Sequence, residues 1–547
     1  LNYNHRDPDP DDACLHNMTE ALKTYDADDW ILARLKEQNS FKHHDVYDLV
    51  PRSRARGKKI FRGREVLKRK INPPTKFNPL SSLDKHKYRL TIAAFTKMLT
   101  QGIDYEEKRS NTVRWAAQLM LIAIAVKFDY DILLLDIETF FLYGELSNEV
   151  FMEQPAGWEE EGYPREDYVW LVKKSMYGHP SASHCAQQKL REALDSNFHS
   201  TASDDCVFVT SDRTTGYSAM GAHVDDMLCV GDVDGLKKSC ASLKSKFKIT
   251  ESWNPDNITG AQIERVREKK WLKLHQGAYV TDILSKYSML DSKTADTPMD
   301  KGTAKALMML PTDSATPASI HAYQVFIGLL IWLLRCRPDM HFTINLGSRF
   351  LQCATPQHLA LMTNRPLRYL NGCRDHGLVF QPGEVPWQLR AMGDSDLAGD
   401  VNSSRSTSGG TARLGEYGTV HCTSHLDKKV ATSTGHAETN AHASLAKEVV
   451  WERNLLRELE FPMTSPTPIG ADNDGVVKQS VKPINHAAAK HYRIAQAYIR
   501  SLNDEREIRT HGVNTDDNDA DFLTKPLDAK AFLRHRHAIM GPQDPPI

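Results

Sequence analysis

From Ser218 to Val230 the chain reads as two short apolar strands, Ser218–Val224 and Met227–Val230, with the adjacent carboxylates Asp225 and Asp226 between them. A two-residue hairpin turn favours Asn-Gly or Asp-Gly, because its central positions need positive φ. Asp-Asp suits such a turn poorly, so either the turn is longer or the carboxylates are wanted for themselves. An isolated acidic pair at a hairpin tip is ordinarily just solvated. The rest of the chain decides between the two.

The same patterns run through the other segments. Leu22, Trp30, Leu32 and Leu35 predict an amphipathic helix from Met18 to about Glu37, followed by a strand at Val46–Val50. Lys87–Ala93 alternates as a strand with two cations, Lys87 and Arg89, on one face. Thr112–Phe128 reads as a buried helix, and Ile132–Asp136 as a fully apolar strand ending on a carboxylate. Leu171–Tyr177 predicts a strand, and Ala182–Phe198 and Leu236–Phe247 predict helices. Helical spacing dominates from Tyr279 to Cys373, with an expected loop at Lys293–Thr316. At Glu384-Val385-Pro386 the character changes, and a domain boundary is expected there. Strands follow at Gln388–Met392, Gly409–Leu414 and Thr419–Ser424. A helix at His436–Glu458, a strand at Thr467–Ala471 and a helix near Asn485–Leu502 complete the chain.

Composition narrows the class. A chain of 547 residues is too long for one core and predicts roughly three or four domains. The longest apolar runs, Leu119–Val126 and Val325–Leu334, fall short of the roughly 20 residues a membrane helix needs, so no membrane association is expected. No secretory signal pattern is present, and the nine cysteines include no C-x-x-C pair, which argues against a zinc site and for a reducing compartment. The first residue is Leu, so the chain reads as a piece of something longer. A net charge of -1 hides a basic stretch between Pro51 and Phe77: Arg52, Arg54, Arg56, Lys58, Lys59, Arg62, Arg64, Lys68, Arg69, Lys70 and Lys76, against the single acid Glu65. That stretch is either a solvated loop or a phosphate-tracking surface whose affinity falls with salt.

Two sets of carboxylates carry candidate chemistry. Asp136, Asp225 and Asp226 could bridge two divalent cations about 4 Å apart, the arrangement nucleotidyl transfer uses, provided their strands are neighbours. Beyond the boundary, Asp394 ends the strand Arg390–Gly393, Glu438 sits early in a helix, Asp472 follows the strand Pro468–Ala471, and Asp521 lies near the C-terminus. A metalloprotease reading of His436, Glu438 and His442 fails on spacing, because histidines six apart do not share a helix face.

The residues around the first set resemble a known family. Leu135-Asp136-Ile137-Glu138-Thr139-Phe140-Phe141-Leu142-Tyr143-Gly144-Glu145-Leu146 looks like the first polymerase motif of copia-type LTR-retrotransposon reverse transcriptases, and Val150 to Trp158 continues it. Lys174-Ser175-Met176-Tyr177-Gly178 and His223-Val224-Asp225-Asp226 resemble the next motif and the metal-binding hairpin. Lys87-Tyr88-Arg89, Gln101–Tyr105, Tyr323 to Asp339 and Leu367–Leu370 also fit. Arg405-Ser406-Thr407-Ser408-Gly409, Lys490-His491 and the order of Asp394, Glu438, Asp472 and Asp521 are similar to the family's RNase H.

The resemblance implies an α+β, multidomain chain: a right-hand polymerase (fingers, palm, thumb) followed by an α/β RNase H-like domain. It divides the chain into a disordered lead-in at 1–16, fingers and palm at 17–256, and thumb and connecting helices at 257–384. An RNase H-like domain at 385–530 and a C-terminal tail at 531–547 follow. Asp136, Asp225 and Asp226 become polymerase metal ligands, and Asp394, Glu438, Asp472 and Asp521 the nuclease set. Each site would take two Mg²⁺, or Mn²⁺. Lys87, Arg89, Phe141, Tyr177 and Gly178 would bind the incoming nucleotide, with Phe141 against the ribose 2′-OH. Implied partners are an RNA template, a DNA primer, RNA/DNA hybrid, dNTPs, and the integrase and capsid portions of the same element. A cytoplasmic virus-like particle with nuclear delivery of the DNA is the implied location. A catalytically decayed or domesticated nucleic-acid-binding descendant is the alternative. Departures from the family are His223, where Tyr is usual, His179–His184 in place of Leu-Lys-Gln-Ala-Pro-Arg, and Ala497 in place of a second histidine.

Overall fold

The structure is a computed structural model that describes residues 15–72, 82–93, 111–194, 197–210, 214, 216–482 and 492–546. Residues 1–14 of the expected lead-in, Lys76, Gln101–Tyr105, Lys490 and His491 lie outside these.

The N-terminal helix is two helices, Met18–Ala21 and Ala27–His43, with Asn17 capping the first. Asp26 precedes the second helix without capping it. Its buried carboxylate instead accepts from Arg69 Nε (2.8 Å) and lies 2.6 Å from His86 Nε2. That contact fastens the helix to a long antiparallel hairpin, Gly63–Asn72 with Ser82–Ile92, in which Lys68 faces Lys87 and Val66 faces Arg89. The later part of the basic stretch, Gly63–Asn72 with Arg64, Lys68, Arg69 and Lys70, is therefore strand, whereas Arg52 and Arg54 lie in a short 3-10 helix. Several of its cations are also committed to acids elsewhere, Arg52 to Glu153 (2.6 Å), Arg54 and Lys58 to Glu149, and Arg69 to Asp26.

A six-stranded antiparallel sheet follows, in the order Ile249–Trp253, Asp131–Ile137, Asp226–Gly231, Ser218–His223, Val207–Thr210, Phe198–Ser200. Both faces are covered. Ile132, Leu228 and Val230 pack with helix Trp115–Phe128, and Leu133, Leu135, Met227 and Cys229 pack with helices Ala182–Leu194 and Val233–Lys244. A strand buried on both faces has no polar alternation to keep, which is why Ile132–Leu135 is apolar throughout.

The next region couples a four-stranded sheet, including Ala261–Val266 and Trp271–His275, to the helices Gly277–Lys286, Pro317–Leu333, His341–Ser348 and Pro356–Gly372. The expected loop Lys293–Thr316 contains a further helix, Lys301–Met309, capped by Asp300 accepting from Thr303 N. Arg337 is fully buried and ion-paired to Asp339 at 2.7 Å, and Tyr369 donates to the same carboxylate, so these motif residues are structural.

The last sheet runs Thr419–Leu426, Thr407–Leu414, Leu389–Asp396, Thr467–Ala471, Ile508–Gly512, the first three antiparallel and the last two joined in parallel. The strand carrying Asp394 does not stop at Gly393; it continues to Asp396 because it is paired along its whole length with Thr407–Leu414. Helix Thr434–Glu458 packs on this sheet and also on the preceding domain, where Glu448 pairs with Arg114 (2.5 Å) and Trp451 Nε1 donates to Ser203 O (2.8 Å). The segment expected as a tail holds the helix Ala529–Met540, whose Phe532 and Ile539 are buried.

Candidate active sites

Asp136 and Asp226 are direct register partners on neighbouring antiparallel strands. Side chains repeat every two residues along a strand, so Ile132, Leu134 and Asp136 share a face, as do Val230, Leu228 and Asp226. The inner members of both rows pack into the core, and both rows end on the carboxylates. The turn between the hairpin strands is Val224-Asp225, closed by the pair His223 and Asp226. The first strand thus ends at His223 and the second begins at Asp226. Positive φ falls on Val224 alone (61°), the type II′ pattern, at a position where glycine is usual and a β-branched residue is strained. Asp225 O accepts from Ile137 N at 3.0 Å, fastening the turn to the Asp136 strand.

Charge concentrates here. Burial and the neighbouring Asp225 and Asp136 push Asp226 up to about 6, and burial and Asp225 also raise Asp136. Lys70 and Lys87 of the hairpin oppose both shifts. Lys87 itself is pushed down to about 8 by burial and by Arg89 and Lys70, while Asp225 draws it back up. Lys70 therefore belongs to this site and not only to a diffuse basic surface. Arg89 lies 4.3 Å over the Tyr177 ring, and Phe141 meets Tyr177 edge to face at 5.2 Å. Gly178 has φ +89°, and a Cβ there would come within 2.5 Å of Ile92 O. Ile92 N donates to Tyr177 O at 2.8 Å, so only glycine lets this loop seat against the hairpin. His223 is half-buried beside the carboxylates with Nδ1 unpartnered, and burial followed by Arg335 lowers its pKa against the pull of Asp225.

The second set converges from four elements. Asp394, Glu438 and Asp472 bring oxygens within 4.8 Å of one another. Burial, together with Asp521 and Asp472, pushes Asp394 up to about 7 in spite of Lys525. Burial, Asp394 and Asp472 push Glu438 up to about 9. Lys525 pairs with Asp521 at 3.0 Å and approaches Asp394 at 3.9 Å, and Thr524 donates to Asp394. Thr524 and Lys525 were readable as the continuation of the Asp521 motif, the lysine four residues on. Gly409, paired with Asp394, leaves room for this loop, since a Cβ there would lie 2.8 Å from Leu523 Cβ and Thr524 Cγ2. His436 stacks on Tyr492 and His442 bonds Thr510 Oγ1, so the two histidines do not converge.

The second cluster fits a hard divalent cation: its carboxylates crowd together with raised proton affinity, and Asp472 Oδ1 is buried without a hydrogen-bond partner, a cost that a cation relieves. In the first, Asp136 and Asp226 are register partners with raised proton affinity, but the oxygens of Asp136, Asp225 and Asp226 do not gather as closely.

Residues 44–301 match the family described as reverse transcriptase (RNA-dependent DNA polymerase). The retrovirus-related Pol polyprotein from transposon RE2 of Arabidopsis thaliana is 31% identical over 473 residues, 86% of this chain and 32% of that polyprotein. The Pol polyprotein from transposon TNT 1-94 of Nicotiana tabacum is 28% identical over 527 residues, 95% of this chain and 38% of the other. The solved structure of a foamy viral protease-reverse transcriptase in complex with RNA/DNA hybrid covers 90% of this chain and 54% of that one, at 9% identity and TM-score 0.40. The chain spans about a third of the length of the curated relatives it matches. Among the described residues, no helix is long and apolar enough to cross a membrane. The chain belongs to the Pol polyproteins of copia-type LTR retrotransposons and carries their reverse transcriptase domain.

Proposed function

We propose that this chain extends a DNA primer on RNA, and then on DNA, and cuts the RNA of the resulting hybrid. The observation that carries the reading is the register pairing of Asp136 with Asp226 beside Asp225, under a hairpin that presents Lys70 and Lys87 to the same carboxylates. Asp136, Asp225 and Asp226 would hold one pair of Mg²⁺ or Mn²⁺ ions, and Asp394, Glu438, Asp472 and Asp521 the other. Such ions neutralise phosphate charge and lower the pKa of a bound oxygen nucleophile.

The chain's own side chains do the rest. Lys87 and Arg89 neutralise the incoming triphosphate, and Tyr177 keeps the Arg89 guanidinium over its ring. Phe141, braced on Tyr177, meets the sugar where a 2′-OH would stand. His223 borders the primer end. The cations from Arg52 to Lys70 contribute phosphate contacts where they are not held in ion pairs. Lys525 keeps Asp521 and Asp394 compensated between turnovers. Fingers and palm occupy 17–256, thumb and connection 257–384, and the nuclease domain 385–530. Within the full polyprotein, integrase and capsid portions are the proposed partners, and a cytoplasmic particle that delivers DNA to the nucleus the proposed site of action.

Primer extension on an RNA template and cleavage of a labelled hybrid, both with Mg²⁺, test the reading. Asp225→Asn should abolish extension and spare cleavage, and Asp472→Asn should do the reverse. A wild-type chain that binds hybrid but neither extends nor cuts overturns it.

A further inference from the structure

A cavity of about 340 Å³ lies where the helix Trp115–Phe128, the connecting helices and the edge strand Thr419–Leu426 meet. Neither carboxylate cluster lines it. Its walls are mainly apolar, with Leu119, Leu334 and Val420 among them, and its polar groups converge from all three walls. That combination, at this volume and at a junction of domains, is the usual form of a small-molecule site.

Arg335 is the informative group. Its guanidinium lies between two indoles, 4.6 Å from the Trp115 ring and 4.5 Å from the Trp332 ring. Its Nη1 donates to Thr259 O at 2.6 Å. Among the described residues no carboxylate pairs with it, although it is half-buried, and burial lowers its pKa against no more than the pull of the neighbouring Cys336 thiol. Charges removed from water are ordinarily paired, because desolvation is otherwise uncompensated. The second polar wall repeats the pattern. His421 Nε2 is buried with no hydrogen-bond partner. His341, across from it, is kept neutral near pH 7, its pKa pushed down to about 4 by burial and by His421. The other arginine of the cavity, Arg114, is already satisfied by Glu448 at 2.5 Å. The cavity thus offers one cation without a carboxylate partner among the described residues, one orphaned imidazole nitrogen and the Trp115 ring.

We propose that this cavity binds a small planar aromatic carboxylate, its anion on Arg335 and its ring among Trp115, Leu119 and Val420. A guanidinium and a carboxylate match as a bidentate pair, and the indole supplies the stacking surface. The occupant would touch polymerase, connection and nuclease walls at once. The cavity wall at Trp115 continues to Val113, two residues earlier, whose N donates to Ala222 O at 3.1 Å, next to His223. The site is independent of the proposed polymerase and nuclease chemistry.

The test uses the full chain with 2-naphthoate as probe, followed by calorimetry and by quenching of tryptophan fluorescence. A saturable single site is expected, with 2-naphthylmethanol, the neutral counterpart, binding at least about tenfold more weakly. Arg335→Met should weaken naphthoate by a similar factor, and Ala116→Phe, which fills the cavity without touching its charge, should abolish binding. Circular dichroism melts of both variants establish that they fold. If Arg335→Met does not fold, Arg335→Lys serves in its place and should bind with intermediate affinity. Absence of saturable binding to the wild type, equal binding of the neutral compound, or full affinity in the filled variant overturns the proposal.

Discussion

Asp136 and Asp226 stand opposite each other on adjacent antiparallel strands, and Asp225 occupies the turn between Asp226 and its partner His223. The crowding raises Asp226 to about 6 from an ordinary value of 3.8. A carboxyl whose folded pKa is raised stabilises the fold below its unfolded value, and that contribution is lost as pH rises from 3.8 through about 6. A bound dication removes the repulsion. The gain in melting temperature on adding Mg²⁺ is therefore expected to grow between about pH 5 and pH 8. Scanning fluorimetry with and without Mg²⁺ checks this, and a pH-independent gain would contradict it.

The nuclease cluster predicts a trade between stability and activity. Glu438 is raised from 4.5 to about 9 and Asp394 from 3.8 to about 7, so metal-free stability falls as pH climbs through that range. Glu438→Gln keeps the shape and removes the penalty. It should raise the melting midpoint at pH 8 by about 4 °C or more and eliminate hybrid cleavage. A lower midpoint would show that the carboxylate is a net structural asset.

Asp26 should act as a positioning residue at a distance from the chemistry. Breaking a buried pair of this kind costs about 3–5 kcal/mol, and the hairpin held by Arg69 and His86 carries Lys87 and Arg89. In Asp26→Asn, KM for dNTP should rise about tenfold with a smaller change in kcat. The Arg69 guanidinium holds the Asp26 carboxyl well below the usual range, so this anchor is present above about pH 4 and is lost in acid. Steady-state kinetics in which kcat alone falls would remove the positioning role.

Phe141→Ala should admit ribonucleotides. The ring is braced edge to face on Tyr177, so its removal opens the space a 2′-OH would need without disturbing Arg89. Competition between dNTP and NTP in primer extension reads the effect, and an unchanged preference for deoxynucleotides sinks the assignment.

Val224→Gly should stabilise the chain by about 1 kcal/mol, the strain of a β-branched residue at positive φ less the entropy cost of glycine. The midpoint of urea unfolding measures it. Destabilisation would mean that Val224 side-chain packing outweighs the backbone strain.

Much of this arrangement was legible from local pattern. The strand Thr467–Ala471 coincides with its expected bounds, and the helices at 115–128, 182–194 and 434–458 differ from expectation mainly at their ends. Local misses have local causes. Gly302 obscured the helix Lys301–Met309, although Asp300 stood three residues before Thr303 as its cap signal. The basic stretch carries so many cations that its alternation was masked, yet its part Gly63–Asn72 is a strand because Ser82–Ile92 pairs with it.

By itself the sequence determined most of the strands and helices, the apolar strand that ends on Asp136, and the order of motifs that marks the family. These follow from side-chain periodicity and backbone preference, which act over a few residues. Only the tertiary structure decided that Asp136 lies opposite Asp226, that Val224-Asp225 makes the turn, and that Glu438 meets Asp394 and Asp472. It alone docks the helix Thr434–Glu458 against Arg114 and leaves Arg335 without a carboxylate among the described residues. Strand order, register and charge pairing depend on contacts between residues far apart in the chain, and no local pattern encodes which of them will meet.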